Sequence, residues 1–140
     1  MEFLSPPGWL RGRGYAHGVA APLPGGARLV CISGCIGWDG QQCMVSDDFA
    51  AQAEQALQNV LAVLQEAGGA PQHIMRLTWY VLSREEYLQA GAALGAAYRR
   101  VLGSHYPAMS VLQVAGLLES RAKVEIEATA LLPNKEGAMS

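Results

Sequence analysis

Apolar residues recur at spacings of three and four from Phe49 to Ala67: Phe49, Ala53, Ala56, Leu57, Val60, Val63, Leu64 and Ala67. That spacing lays one stripe along a helix. Ser46, Asp47 and Asp48 offer N-capping oxygens, and Gly68 and Gly69 offer a stop. Gln52, Glu54, Gln58 and Gln65 fall on the face assigned to water. A second helix is predicted from about Arg84 to Leu102, with Tyr87, Leu94, Tyr98 and Val101 on its stripe and Gly103 at its end. Gly91 and Gly95 interrupt it, and glycine weakens a helix interior. They mark either the close approach of another backbone or plain tolerance.

The remaining apolar runs have strand character. Gly14 to Ala20 alternates weakly, and Pro22, Pro24, Gly25 and Gly26 then mark a loop. Arg28 to Gly34 is a short apolar run ending in a glycine-punctuated loop, in which Trp38-Asp39-Gly40 reads as a turn. Residues 73–83 are rich in strand formers. Ser110 to Leu117 and Ala122 to Leu132 close the chain. In the last run Val124, Ile126, Ala128 and Ala130 point one way, and Glu125, Glu127 and Thr129 the other. The order ββαβαββ predicts an α+β mixed sheet with two long helices on one face. Residues 1–13, broken by proline and glycine, read as an irregular arm, 14–133 as one domain, and 134–140 as a tail.

Composition narrows the function. Of 140 residues 51% are hydrophobic and only 16% charged. Such a surface fits burial against other subunits or simply reflects many alanines. Ten Lys and Arg stand against twelve Asp and Glu, a net charge of −2, which disfavours binding to nucleic acid. No apolar run is long enough to span a bilayer. Three cysteines without a CxxC pair argue against a disulfide framework and fit a cytoplasmic protein. The three histidines are scattered, so no metal site is expected.

Candidate chemistry is sparse. Glu125 and Glu127 share a strand face and could act as an acid–base pair, or form the wet side of an amphipathic strand. Ser33 and Gly34 end a strand where a hydroxyl and free backbone N–H groups could meet a ligand. Cys35 follows, with no basic neighbour in sequence to activate it. Tyr15 and His17 lie on the weak first strand. Met109, at the mouth of the fifth run, either fills a gap in the core or occupies the place of a functional residue.

The segments GYAHGVA, LVCISGCIGWDG, DFAAQAEQALQNVLAVLQEAGGAPQHIMRLTWYV, YRRVLGSHYPAMSVLQVAGL and AKVEIEATALLP occur in that order. Together they resemble the YjgF/RidA superfamily, also called the endoribonuclease L-PSP or translation-inhibitor family, over residues about 14 to 133. The resemblance implies a chorismate-mutase-like fold of the bacillus type and a homotrimer with clefts between its subunits. It implies a cofactor-free deaminase that hydrolyses reactive 2-imino acids. Tyr15 matches the family tyrosine, and Ser33 and Gly34 match its Ser-Gly-Gln element, with Cys35 replacing the glutamine. Glu125 matches the glutamate that handles the attacking water.

The family's Pro-Ala-Arg-Ser, whose arginine clamps the substrate carboxylate, is here Pro107-Ala108-Met109-Ser110. Gly91 stands where many members carry asparagine. A thioether cannot replace the paired charge-assisted bonds of a guanidinium. Arg76, Arg84 and Arg121 are the candidate substitutes near these strands.

Glu125 is therefore the candidate catalytic residue, and Tyr15, Ser33, Gly34, Cys35, Gly91 and Met109 are candidate ligand contacts. The expected activity is hydrolysis of imine-like or related reactive metabolites that differ from 2-imino acids. The alternatives are a noncatalytic trimer binding a metabolite or a protein and, ranked last, a ribonuclease.

Overall fold

The computed structural model describes residues 1–134. Six strands form one mixed sheet: β1 (Glu2–Leu4), β2 (Gly18–Pro22), β3 (Arg28–Cys35), β4 (Ile74–Val81), β5 (Ala108–Gln113) and β6 (Val124–Leu132). Their order is β1-β2-β3-β6-β4-β5. Only β4 and β5 run parallel, joined by the crossover helix that a parallel pair requires. Helix α1 (Phe49–Glu66) packs against β3, β6 and helix α2 (Arg84–Leu102). The expected α+β layering is present.

Alternation along β6 sorts the two faces. Val124, Ile126, Ala128, Ala130 and Leu132 are buried beneath the helices, and Glu125, Glu127 and Thr129 are half-buried on the helix-free face. Leu77, Trp79 and Val81 of β4 lie opposite Ala128, Ile126 and Val124 and continue the core. Asp48 caps α1 by accepting from the Ala51 N–H at 2.9 Å. Gly68, at φ +83°, takes the left-handed turn that ends the helix. The Arg28 guanidinium donates to the Ala67 carbonyl there.

Three expectations need correction. The arm is not wholly irregular: Glu2–Leu4 pairs antiparallel with β2, and Leu4 is buried. Three residues are too short to display a period, and Pro6-Pro7 hides the strand that precedes them. The strand expected from Gly14 begins at Gly18, because residues 14–17 bend around Tyr15 and His17.

Gln52 is not on the wet face of α1. It is fully buried, and its amide donates to the Ser46 and Arg121 carbonyls at 2.9 and 3.1 Å and accepts from Lys123 N–H at 2.8 Å. A buried amide is tolerated when its bonds are all made.

Gly91 kinks α2, with φ 21° and ψ −97°. No other group lies within 4 Å of where its Cβ would stand, so backbone conformation rather than close approach explains this glycine. Of the expected tail only Asn134 lies within the described residues. Its amide donates to the Gly25 carbonyl at 2.8 Å.

Candidate functional site

Strand β3 falls out of register with β6 between Ile32 and Cys35. This irregularity re-aims the strand end, as bulges beside functional sites commonly do. The Ser33 N–H donates to the His17 carbonyl at 2.9 Å, and its hydroxyl donates to the Ala16 carbonyl. Ser33 therefore pins the Tyr15–His17 bend. The His17 ring packs edge-on against Tyr15 and Trp9, with centroids 5.5 and 5.1 Å away. Gly34 comes next, and a Cβ there would lie 2.6 Å from the Glu125 carboxyl carbon and Oε2. The bare backbone of Gly34 is what lets the Glu125 side chain lie across it.

These residues wall a cavity of about 360 Å³ lined by Tyr15, Ser33, Gly34, Ile36, Trp38, Leu118, Glu119 and Glu125. Two buried amides of α1 hold its rim. Asn59 donates to the Ile36 and Trp38 carbonyls at 3.0 and 2.8 Å. Gln52 ties down Arg121 and Lys123, just before Glu125. Sequence reasoning missed Trp38 and Glu119. Trp38-Asp39-Gly40 is the expected turn, with Asp39 accepting from Gln41 and Cys43 N–H groups at 2.9 and 3.1 Å. Nothing in its sequence signals that the tryptophan also lines a cavity.

The two carboxylates of β6 have different surroundings. Tyr80 donates to Glu127 Oε1 at 2.6 Å. No protein donor among the described residues reaches Glu125. Burial raises the Glu125 pKa above the ordinary carboxylate range, and the neighbouring Glu127 charge raises it further. Burial also raises the Tyr15 pKa, with a smaller contribution from Cys35. A half-buried carboxylate with raised proton affinity and free lone pairs suits a general base.

The other candidate residues lie elsewhere. Cys35 belongs to the core, and its thiol donates to the Ser33 carbonyl at 3.3 Å. Burial, and then the Glu125 charge, pushes its pKa up to about 12. It is not among the residues that line the cavity, because the irregularity after Ile32 returns residue 35 to the helix side, opposite Ile126.

Met109 sits opposite Leu77, on the helix side of β5. With Gly91 it lines a second cavity of about 390 Å³, otherwise built from Trp79, Tyr87, Leu88, Leu94, Gly95, Tyr98 and Tyr106. Within one chain the two cavities share no lining residue. Arg121 is engaged by Asp47 at 2.8 Å. Arg76 lines a hollow on the helix-free face with Cys31, Thr78 and Glu127. Neither they nor Arg84 line either cavity.

The sequence profile of the family described as endoribonuclease L-PSP matches residues 14–132. The chain belongs to this family, the YjgF/RidA superfamily. A 2-iminobutanoate/2-iminopropanoate deaminase of Salmonella typhimurium is 34% identical over 106 residues, covering 74% of this chain and 79% of that protein. The human protein of the same name is 32% identical over 107 residues, covering 74% and 73%. Among solved structures, the Escherichia coli YjgF gene product superposes with a TM-score of 0.77 at 29% identity, covering 93% of this chain and 98% of that one. Escherichia coli TdcF with bound serine gives 0.74 at 27% identity over the same shares. The L-PSP/RidA fold thus extends over nearly the whole chain.

Proposed function

We propose that this RidA-family protein is a cofactor-free hydrolase of imine-like reactive metabolites, with Glu125 as its base. The observation that carries this reading is the Glu125 carboxylate, half-buried over Gly34 beside Tyr15 and without a protein donor among the described residues. Water adds to the imine carbon as Glu125 takes its proton. Glu125 passes that proton to nitrogen, the remaining hydroxyl proton follows by the same route as the C–N bond breaks, and ammonia leaves a carbonyl product. The names of the deaminase relatives support the same chemistry.

The working site forms in a homotrimer, where the Glu125 cavity of one chain faces the Met109 cavity of its neighbour. The exposed Tyr106, Met109 and Leu112 around β5 support such a contact, and sedimentation velocity tests it. With methionine at position 109, the substrate differs from a 2-imino acid. Ammonia release from a panel of freshly generated imines tests the hydrolase reading: turnover by the wild type that is lost in Glu125→Gln upholds it. Binding without turnover by either protein would favour a noncatalytic ligand carrier, a role to which the wholly uncharged second cavity is also suited.

A further inference from the structure

The charge inventory of the cavities points to a substrate class, given the hydrolase reading above. Among the described residues, the Glu125 cavity has two carboxylates in its wall, Glu119 and Glu125, two aromatic rings, Tyr15 and Trp38, and no Lys, Arg or His. The cavity holding Met109 has no charged residue among the described ones and is dominated by Trp79 and three tyrosines. A substrate carboxylate would meet like charge in the first and find no partner in the second, which is costly in a partly desolvated site. An organic cation would meet two carboxylates and two π-systems, the combination that binds ammonium-type groups. Its apolar body would have aromatic surface to cover.

From these surroundings we infer that the substrate is a protonated imine of an amine rather than of an amino acid: a cationic C=N group on an aromatic or apolar body, with no carboxylate. The reaction is R–CH=NH₂⁺ + H₂O → R–CHO + NH₄⁺. Water oxygen bonds to carbon and gives one proton to Glu125, which passes it to nitrogen; as the C–N bond breaks, the remaining hydroxyl proton follows through Glu125 to the departing ammonia, leaving the aldehyde and NH₄⁺. No oxidant or reductant enters. The class of reaction that supplies such a substrate is the oxidation of a primary amine. Glu119 is the specificity-determining residue, holding the cation from the loop before β6.

One rival source of positive charge is present. Arg11 lines an adjoining cavity with Phe3, Gly12 and His17, and that cavity shares Tyr15 with the site. Arg11 has no ion pair among the described residues. Were it to reach past the Tyr15 ring, it would serve a carboxylate instead.

The test compares two imines made in situ: that of benzylamine, released by an amine oxidase, and 2-iminopropionate, released from alanine by an amino-acid oxidase. Ammonia release is followed for the wild type, Glu119→Gln and Arg11→Gln, with circular dichroism to confirm folding. The expected result is at least a tenfold preference in kcat/KM for the benzylamine imine. Glu119→Gln should raise KM for that imine about tenfold with kcat within twofold, and Arg11→Gln should change neither. A preference for 2-iminopropionate overturns the substrate class while leaving the hydrolase reading intact, and its loss in Arg11→Gln would identify the arm as the anion clamp. Acceleration of neither imine overturns the hydrolase reading, and the substrate class falls with it.

Discussion

The Glu125 carboxyl group lies across Gly34 so closely that a methyl group on residue 34 would stand 2.6 Å from its Oε2. Position 34 therefore governs where the candidate base sits. Gly34→Ala must push Glu125 aside. The main cost should fall on activity, because both groups lie at the edge of a partly open cavity where the side chain can swing away. We expect a drop in kcat of tenfold or more, with a stability loss of about 1 kcal/mol, near the centre of the range for single substitutions. Imine hydrolysis and thermal unfolding measured on the same preparation separate the two effects.

What was legible in the sequence follows physical scale. The stripe of α1 and the alternation of β6 are long enough to fix element type, buried face and sheet class. Tyr15, Ser33, Gly34 and Glu125 were singled out by resemblance, and the fold brings these four into one cavity. Cys35, Gly91 and Met109 were grouped with them; within one chain Cys35 lies in the core, and Gly91 and Met109 line a second cavity. An out-of-register segment of β3 decides the side of Cys35, and the parallel register of β5 decides that of Met109. Neither register is written in a local pattern. Gln52 escaped for a different reason: glutamine is polar by any scale, and its burial is made acceptable by three backbone partners, two of them 69 and 71 residues away along the chain.

Gln52 and Asn59 should behave as buried struts. Each satisfies backbone groups of loops that wall the cavity. Replacing Gln52 with leucine or Asn59 with alanine strands those groups, at roughly 1–3 kcal/mol for each one left unsatisfied. Gln52→Leu strands three such groups, so it should lower the unfolding free energy by about 3 kcal/mol or more and speed hydrogen exchange at the Lys123 amide. Unchanged exchange at that amide would show that the strut does not hold the entry to β6.

The three thiols should differ sharply. Cys31 and Cys43 are exposed, whereas Cys35 is buried. With its pKa pushed up to about 12 by burial and then by the Glu125 charge, Cys35 has almost no thiolate at neutral pH. An aromatic disulfide reagent should therefore modify two cysteines in the native protein, and the third only once denaturant is added. Alkylation of Cys35 in the native state, located by peptide mass, would contradict its burial.

Glu125 should leave a signature in stability as well as in rate. Its folded-state pKa is raised, by burial first and by Glu127 second, while in the unfolded chain it titrates as an ordinary carboxylate. Between those two pKa values the folded state holds more protons than the unfolded one. Its contribution to stability therefore falls as pH rises through that window. This is opposite in sign to a salt-bridged carboxylate, whose contribution is lost on acidification. Glu125→Gln removes the ionisation, so the variant should gain stability relative to the wild type as pH rises, reach a plateau above the raised pKa, and lose that advantage below the ordinary carboxylate range. Melting temperatures of both proteins from about pH 4 to pH 8 give the difference curve. If it slopes the other way, Glu125 is stabilised as an anion in the folded protein, and its assignment as a base with raised proton affinity is wrong.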